Sequence, residues 1–450
     1  MREARANLAK LCRYGFHLTS AGHLRLFTNL NQSPPKERLI MNHKRTFFTV
    51  ACTLAAVAFA QAEIPVDNNQ PPTPSSTKSR FAPPFMGGKP GDLLSHKEIG
   101  TDIKGARAWK VRYVSKDVND VVTEATGLII APEEKGKDRK VMTWCHGTTG
   151  LGDAATPSAQ PNSARNLITY FDANSTQQID FGVPGLQGLI DDGYVVCATD
   201  YQGLSTAGQH QYMVNRTQAR DAVYLIHAAR KLDEVGAGTK FGGAGWSQGG
   251  GASAAVAELD PADCGDLKLV GTVCMSPVVG EIAFNAPMGP SAALSDAKIP
   301  PDSHIVMMLA GTQIANHETL KLSDYFTPLG VQILETAWNI QPVHHLNDTI
   351  ARLFRLRGPV LQSKPANAVK WQEAVRAGSA STRKPVAPVL LCMDTFAGGT
   401  GSPVPWQKAY AEKVKDFGGS IEIKEYPNDD HFSLPNHCAP DALKWLNGLF

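Results

Sequence analysis

The chain predicts an α/β fold, a mostly parallel central sheet flanked by helices, with a largely helical cap inserted after the sixth strand. Three observations predict it. Short apolar segments with the character of buried strands alternate with segments of helical period. One of them, Lys240–Gly245, runs through a tight glycine-rich turn directly into a small-residue helix. The alternation then stops between about 277 and 385 and resumes to the C-terminus, as an insertion between two sheet strands requires.

Taken in order, Trp109–Val118 and Val121–Ala131 read as an antiparallel pair turning at Asn119-Asp120. Lys140–Cys145 and Tyr194–Ala198 are short buried strands. Arg216–Leu232 has helical periodicity, with Ala222, Leu225, Ile226 and Ala229 on one apolar face. After Lys240–Gly245, Ala252, Ala254, Ala255 and Ala257 mark a helix of small residues, and Leu267–Met275 is the sixth strand. Inside the interruption, Ile305–Leu309, Leu329–Trp338 and Ile350–Leu356 are apolar runs suited to cap helices. The closing rhythm is a strand over Ala387–Met393, a helix over Trp406–Phe417, a strand over Ser420–Tyr426 and an amphipathic helix over Ala439–Phe450.

The N-terminal region stands apart from this body. From Met41 a basic Asn42-His43-Lys44-Arg45 precedes an apolar run, Thr46 to Ala60, and an A-x-A site at Ala60-Gln61-Ala62. That is the layout of a signal peptide, residues 41–62, cleaved after Ala62. Residues 1–40 read as an upstream extension outside the mature protein, and 63–94 as a flexible lead-in rich in Pro, Asn and Ser near its start. The expected destination is periplasmic or secreted. Of 44 Lys/Arg and 42 Asp/Glu, 9 and 2 fall in residues 1–62. The remaining 35 basic and 40 acidic residues give a net −5 rather than +2, so nothing points to nucleic acid as a partner. About 390 residues remain, enough for one large core, expected over 95–276 and 386–450 with the cap at 277–385. Six cysteines survive processing. Cys145, Cys197, Cys274 and Cys392 lie in apolar strands, while Cys264 and Cys438 lie in polar surroundings and are the expected disulfide.

The chemistry centres on Gly245-Trp246-Ser247-Gln248-Gly249, which fits the G-x-S-x-G nucleophile elbow of the α/β-hydrolase fold. Side chains two residues before and after the serine would collide where strand turns into helix, so both positions favour glycine. A serine hydroxyl needs a base, and the base needs an orienting acid, in the chain order Ser, acid, His. His431, between the last strand and the last helix, stands where the base belongs; His437 lies too near the final helix. Asp394 follows the strand Pro388–Met393 and is the only carboxylate in its segment. Asp429 and Asp430 are too close in sequence to reach back to His431, and Asp200 reads as a turn-stabilising residue. The oxyanion hole is expected from the N–H groups of Gln248 and of Thr148 in the turn His146-Gly147-Thr148-Thr149-Gly150. His146 itself reads as a structural loop histidine.

His146-Gly147-Thr148-Thr149-Gly150, Thr199-Asp200-Tyr201-Gln202-Gly203-Leu204 and Gly245-Trp246-Ser247-Gln248-Gly249-Gly250 together resemble the bacterial branch of the secretory lipase family. The resemblance covers most of residues 95–450. It implies an exported α/β-hydrolase with a helical cap that hydrolyses esters in an acyl-binding cleft beneath the cap. The chain departs from the family in the loop Thr395–Pro405, which carries no carboxylate where many relatives have an aspartate before Val-Pro.

The leading expectation is a serine carboxylic-ester hydrolase, a carboxylesterase or lipase, acting on a small-molecule or lipid ester with transient contact at a lipid interface. No cofactor or metal is expected, and the chain does not determine an oligomeric state. Met307, Met308, Leu309, Phe326 and Trp338 either line an acyl pocket or pack the cap's own core. A second reading keeps the same residues in an exported serine peptidase or acyltransferase, because fold and triad do not set the substrate. A third is a non-catalytic hydrolase-fold binding protein. A dinucleotide site is disfavoured, since the third glycine counted from Gly243-Ala244-Gly245 falls on Gln248.

Overall fold

A computed structural model describes residues 77–160, 163, 182–287, 299–399 and 401–450. The proposed upstream extension, the signal peptide and the start of the lead-in lie outside the described residues. Among the described residues nine strands form one sheet: β1 Leu93–Ile99, β2 Ala106–Lys116, β3 Val122–Pro132, β4 Arg139–Cys145, β5 Val195–Thr199, β6 Ala237–Trp246, β7 Lys268–Met275, β8 Val389–Asp394 and β9 Ile421–Tyr426. Their spatial order is β1-β2-β3-β5-β4-β6-β7-β8-β9. The first three pairings are antiparallel and the other five parallel.

All eight strands expected from the sequence are present, but the insertion follows the seventh strand rather than the sixth. The extra strand is β1, whose first two residues fall in the expected lead-in and whose other five open the expected core, where no strand was read. It sits at the sheet edge, and its residues are half-buried or exposed, so no buried face imprinted an apolar period on it.

Helices cover both faces of the sheet. α1 Leu186–Asp191, α2 Asn215–Ala229, α3 Gln248–Val256 and α4 Pro261–Cys264 fall between strands. α2 and α3 pack on one face with Val141, Cys197, Phe241 and Leu391, while α1 packs on the other with Met142, Val196 and Met275. Helix α3 is buried on every side, and its small residues let it lie close against β6 and β7. The expected Cys264–Cys438 disulfide is absent, and all six described cysteines are unpaired. Cys264 ends α4 on the α2/α3 face, whereas Cys438 is fully buried on the opposite face together with Cys392. The sheet separates them.

Between β7 and β8 stand α5 Gly280–Asn285, α6 Ser303–Ala315, α7 Pro328–Ala337, α8 Val343–Arg357 and α9 Ala368–Gly378. The three apolar runs expected to be helical here are helical. Their starts have local causes: the Asp302 carboxylate accepts from His304 N–H, and Thr327 Oγ1 caps Gly330 N–H ahead of Pro328. Val343, Leu346 and Ile350 of α8 turn inward at helical spacing. These helices form a separate core with Met307, Leu309, Phe326, Leu334, Trp338 and Trp371, so most of the candidate pocket residues pack the inserted segment itself. Finally α10 Val404–Asp416 and α11 Leu434–Asn447 close the chain over the sheet. Among the described residues no helix is long and apolar enough to cross a membrane.

Candidate active site

The parallel strands align their C-terminal ends. In register, Cys145 faces Gly245, Trp246 faces Met275, and Met275 faces Cys392. The segments that leave this edge are therefore neighbours, and in open α/β sheets that is where ligands bind.

Ser247 leaves β6 with φ 58° and ψ −119°, a left-handed backbone that a non-glycine residue adopts only under constraint. The constraint is visible on both sides. Ser247 N–H donates to Met275 O at 3.0 Å, and Val278 N–H donates to Ser247 O at 2.9 Å. A Cβ on Gly245 would lie 2.1 Å from Gly249 O, and one on Gly249 would lie 1.9 Å from Cys145 O. Both glycines of the motif are thus required by backbone contacts that no side-chain rearrangement could relieve.

His431 approaches from the loop after β9. Its Nε2 lies 2.9 Å from Ser247 Oγ. Its carbonyl accepts from Trp246 Nε1 at 2.8 Å, and the indole stands 4.9 Å from the imidazole between ring centres. Gly401 closes the other side, where a Cβ would come within 2.3 Å of the imidazole ring. The ring is buried, which pushes its pKa down to about 3, with His304 adding to the shift and Asp430 opposing it. The imidazole is therefore neutral near pH 7 and able to accept a proton.

Asp394 ends β8 and is fully buried. It does not hydrogen-bond His431 directly. Its Oδ1 accepts from Ser276 Oγ at 2.5 Å and from Gln407 Nε2 at 2.7 Å. Ser276 Oγ in turn lies 2.8 Å from His431 Nδ1. Burial raises the Asp394 pKa against the lowering effect of the Ser276 and Gln407 hydrogen bonds. Ser276 was missed in the sequence because it falls in the one-residue gap between the sixth expected strand and the expected cap. The only available signal was a polar residue at the end of a strand adjoining the acid's strand.

The other acids are engaged elsewhere. Asp429 pairs with His437, and Asp430 accepts from Phe432 N–H and Ser433 N–H. Asp200 accepts from Ser158 N–H, Ser158 Oγ and Thr126 Oγ1, as a loop-bracing residue does. His146 braces the same region, its ring nitrogens near Gly147 O and Asp200 O, and burial lowers its pKa to about 4.

Among the described residues the N–H groups of Thr148 and Gln248 have no hydrogen-bond partner. Both are braced by their side chains: Thr148 Oγ1 bonds Tyr212 Oη at 2.8 Å, and Gln248 Nε2 bonds His210 Nε2 at 2.9 Å. A Cβ on Gly147 would lie 2.4 Å from the Trp246 ring, so glycine lets this turn close down beside the elbow. Thr148, Ser247 and His431 open onto one mainly apolar cleft of about 350 Å³, walled by Met213, Ile305, Met308, Val343, Trp406 and Phe432. Ser247 is only 8% exposed, so access to its hydroxyl runs through this cleft.

Solved structures share this fold at low sequence identity. The rice cell wall degrading esterase LipA from Xanthomonas oryzae matches with a TM-score of 0.61 and 16% identity, over 80% of this chain and 100% of that one. Lipase A from Candida antarctica in its closed state matches with a TM-score of 0.63 and 13% identity, over 80% of this chain and 82% of that one. No curated protein matches the sequence. Residues 171–285, a segment that includes the elbow, match the family described as Secretory lipase, and the chain has the α/β-hydrolase fold of lipases and esterases.

Proposed function

We propose that this protein is an exported serine carboxylic-ester hydrolase of the lipase or carboxylesterase type, from the bacterial branch of the secretory lipases. The observation that carries the proposal is the 2.9 Å contact between Ser247 Oγ and a buried, neutral His431 Nε2, held at a strained elbow beneath an apolar cleft. The secretory lipase match and the ester-hydrolysing neighbours support the same class.

In this mechanism Ser247 Oγ attacks the ester carbonyl carbon while its proton passes to His431 Nε2. The carbonyl oxygen becomes an oxyanion and takes hydrogen bonds from the N–H groups of Thr148 and Gln248. His431 gives its proton to the departing alkoxide, leaving the acyl group on Ser247. Water then attacks the acyl-enzyme, again losing its proton to His431, and the carboxylic acid leaves as Ser247 is restored. Asp394 is the acid that supports the imidazolium. Residues 41–62 serve as the export signal, and the segment 277–385 is the cap over the acyl cleft.

The test is fluorophosphonate labelling of the protein starting at Glu63, with peptide mass mapping, beside hydrolysis of p-nitrophenyl esters of increasing chain length. Labelling at Ser247 with ester turnover is expected. Labelling without turnover would move the reading to a peptidase or acyltransferase, and a folded protein that does not label would favour a binding protein.

A further inference from the structure

We propose that Ser276 is a positioning residue that couples Asp394 to His431, so that the site works as a four-membered chain, Ser247–His431–Ser276–Asp394. The proposal rests on the hydrolase reading above and adds a residue to it. Ser276 is fully buried, and its hydroxyl makes two hydrogen bonds, to Asp394 Oδ1 at 2.5 Å and to His431 Nδ1 at 2.8 Å.

Donor and acceptor capacity fixes the direction of the chain. An ionised carboxylate can only accept, so the Ser276 hydroxyl hydrogen must point to Asp394. The Ser276 oxygen is then an acceptor toward His431, and Nδ1 must carry the hydrogen. A neutral imidazole with hydrogen on Nδ1 has its lone pair on Nε2, the nitrogen facing Ser247 Oγ. Ser276 thus selects the one tautomer able to take the Ser247 proton. Gln407 holds the arrangement by donating to the same Asp394 oxygen and to Ser402 O. Asp394 Oδ2 has no partner among the described residues, so the carboxylate reaches His431 only through the Ser276 hydroxyl.

The backbone is shaped for this task. Ser276 has φ 43°, a left-handed conformation that costs energy for any residue with a Cβ. It is held there by its N–H donating to Cys392 O at 2.9 Å, two residues before Asp394. Pro277 follows, its carbonyl accepting from Ser402 Oγ at 2.7 Å. The hydroxyl is therefore tied through the sheet ladder to the strand that carries the acid. During turnover His431 becomes an imidazolium whose Nδ1–H donates to Ser276, and the Asp394 charge acts on it one hydroxyl away.

The experiment compares four proteins beginning at Glu63: the parent, Ser276→Ala, Asp394→Asn, and Asp394→Asn combined with Ser276→Asp. Thermal melting at each pH shows that each is folded, and p-nitrophenyl butyrate turnover is followed from pH 2 to 9. Ser276→Ala is expected to lose roughly a hundredfold in kcat with KM little changed, less than the ~10⁴-fold of losing a directly bonded acid. Its acid limb is expected to move to lower pH, because the imidazolium has lost its acceptor. In the double variant Asp at 276, a residue that tolerates positive φ, offers its own carboxylate to Nδ1. It is expected to recover at least tenfold over Asp394→Asn and to bring the acid limb back up. Unchanged kcat and limb in Ser276→Ala, together with no recovery in the double variant, would overturn the proposal. Nitrogen-15 NMR of the imidazole provides a readout independent of turnover. Loss of the Nδ1–H tautomer in Ser276→Ala supports the coupling even if no ester is hydrolysed and the hydrolase reading fails; an unchanged tautomer and proton resonance sinks it.

Discussion

The strand ends and the inserted helices meet at one cleft but are built by different means. At the strand ends, position is enforced by backbone against backbone. The two glycines of the elbow have no room for a methyl group, Ser247 and Ser276 are held at positive φ, and adjacent strands lock their register. The inserted helices are instead held by side-chain packing around Leu334, Trp338 and Trp371. They join the strand-end loops through the Gly150–Pro342 bridge, through Val343 N–H donating to Thr149 O at 2.8 Å and through Asn339, whose side chain accepts from Asp153 N–H. Backbone-enforced geometry tolerates almost no substitution, whereas a packed helical layer can be refilled with other apolar residues at modest cost. On the proposed hydrolase reading, rate is expected to depend on the strand ends and substrate choice on the inserted layer.

The largest effect should come from the nucleophile and base. Ser247→Ala and His431→Ala are each expected to lower kcat by on the order of 10⁴ to 10⁶ while leaving the melting temperature nearly unchanged. Esterase assays beside calorimetry check this, and retained turnover in Ser247→Ala would remove the elbow from the chemistry. Next is Gly249→Ala, whose Cβ would lie 1.9 Å from Cys145 O. It should cost about 3 kcal/mol of stability, read by urea unfolding; a loss below about 1 kcal/mol would mean the elbow relaxes more easily than its contacts indicate.

A smaller and different effect is expected across the cleft. Met308, buried and lining it from α6, should change selectivity when replaced by Trp. The kcat/KM ratio of long to short acyl esters should fall roughly tenfold with turnover of the shortest ester preserved. An equal loss for all chain lengths would break the division between the two regions. The smallest effect concerns pH. With its pKa depressed to about 3 by burial, His431 stays neutral well below the usual histidine range. The acid limb of kcat/KM should accordingly lie below pH ~6.5, because protonation silences the base only as pH falls through the folded-state value. Half-loss of activity at or above that ordinary value in a protein still folded would contradict that environment.

Much of this was legible along the chain because it is local. The G-x-S-x-G run encodes its own turn, since the steric demand lies within five residues. Buried parallel strands such as Tyr194–Ala198 and Lys140–Cys145 announce themselves as apolar runs, having apolar neighbours on both faces. The helical runs of the insertion were readable for a similar reason. Strand β1 was not, because an edge strand with half-exposed faces carries no period. The pairing of Cys264 with Cys438 failed because polarity along the sequence says nothing about which face of the sheet a residue joins.

The sequence by itself determined the fold class and the strained serine, since each depends on short-range sterics or on periodic burial. Only the tertiary structure decided how Asp394 is connected to His431. Ser276 and Asp394 are 118 residues apart, and they meet through the pairing of β7 with β8 across the entire inserted segment. A hydrogen bond depends on ångström-scale distance and direction, and only the folded register of two strands sets those.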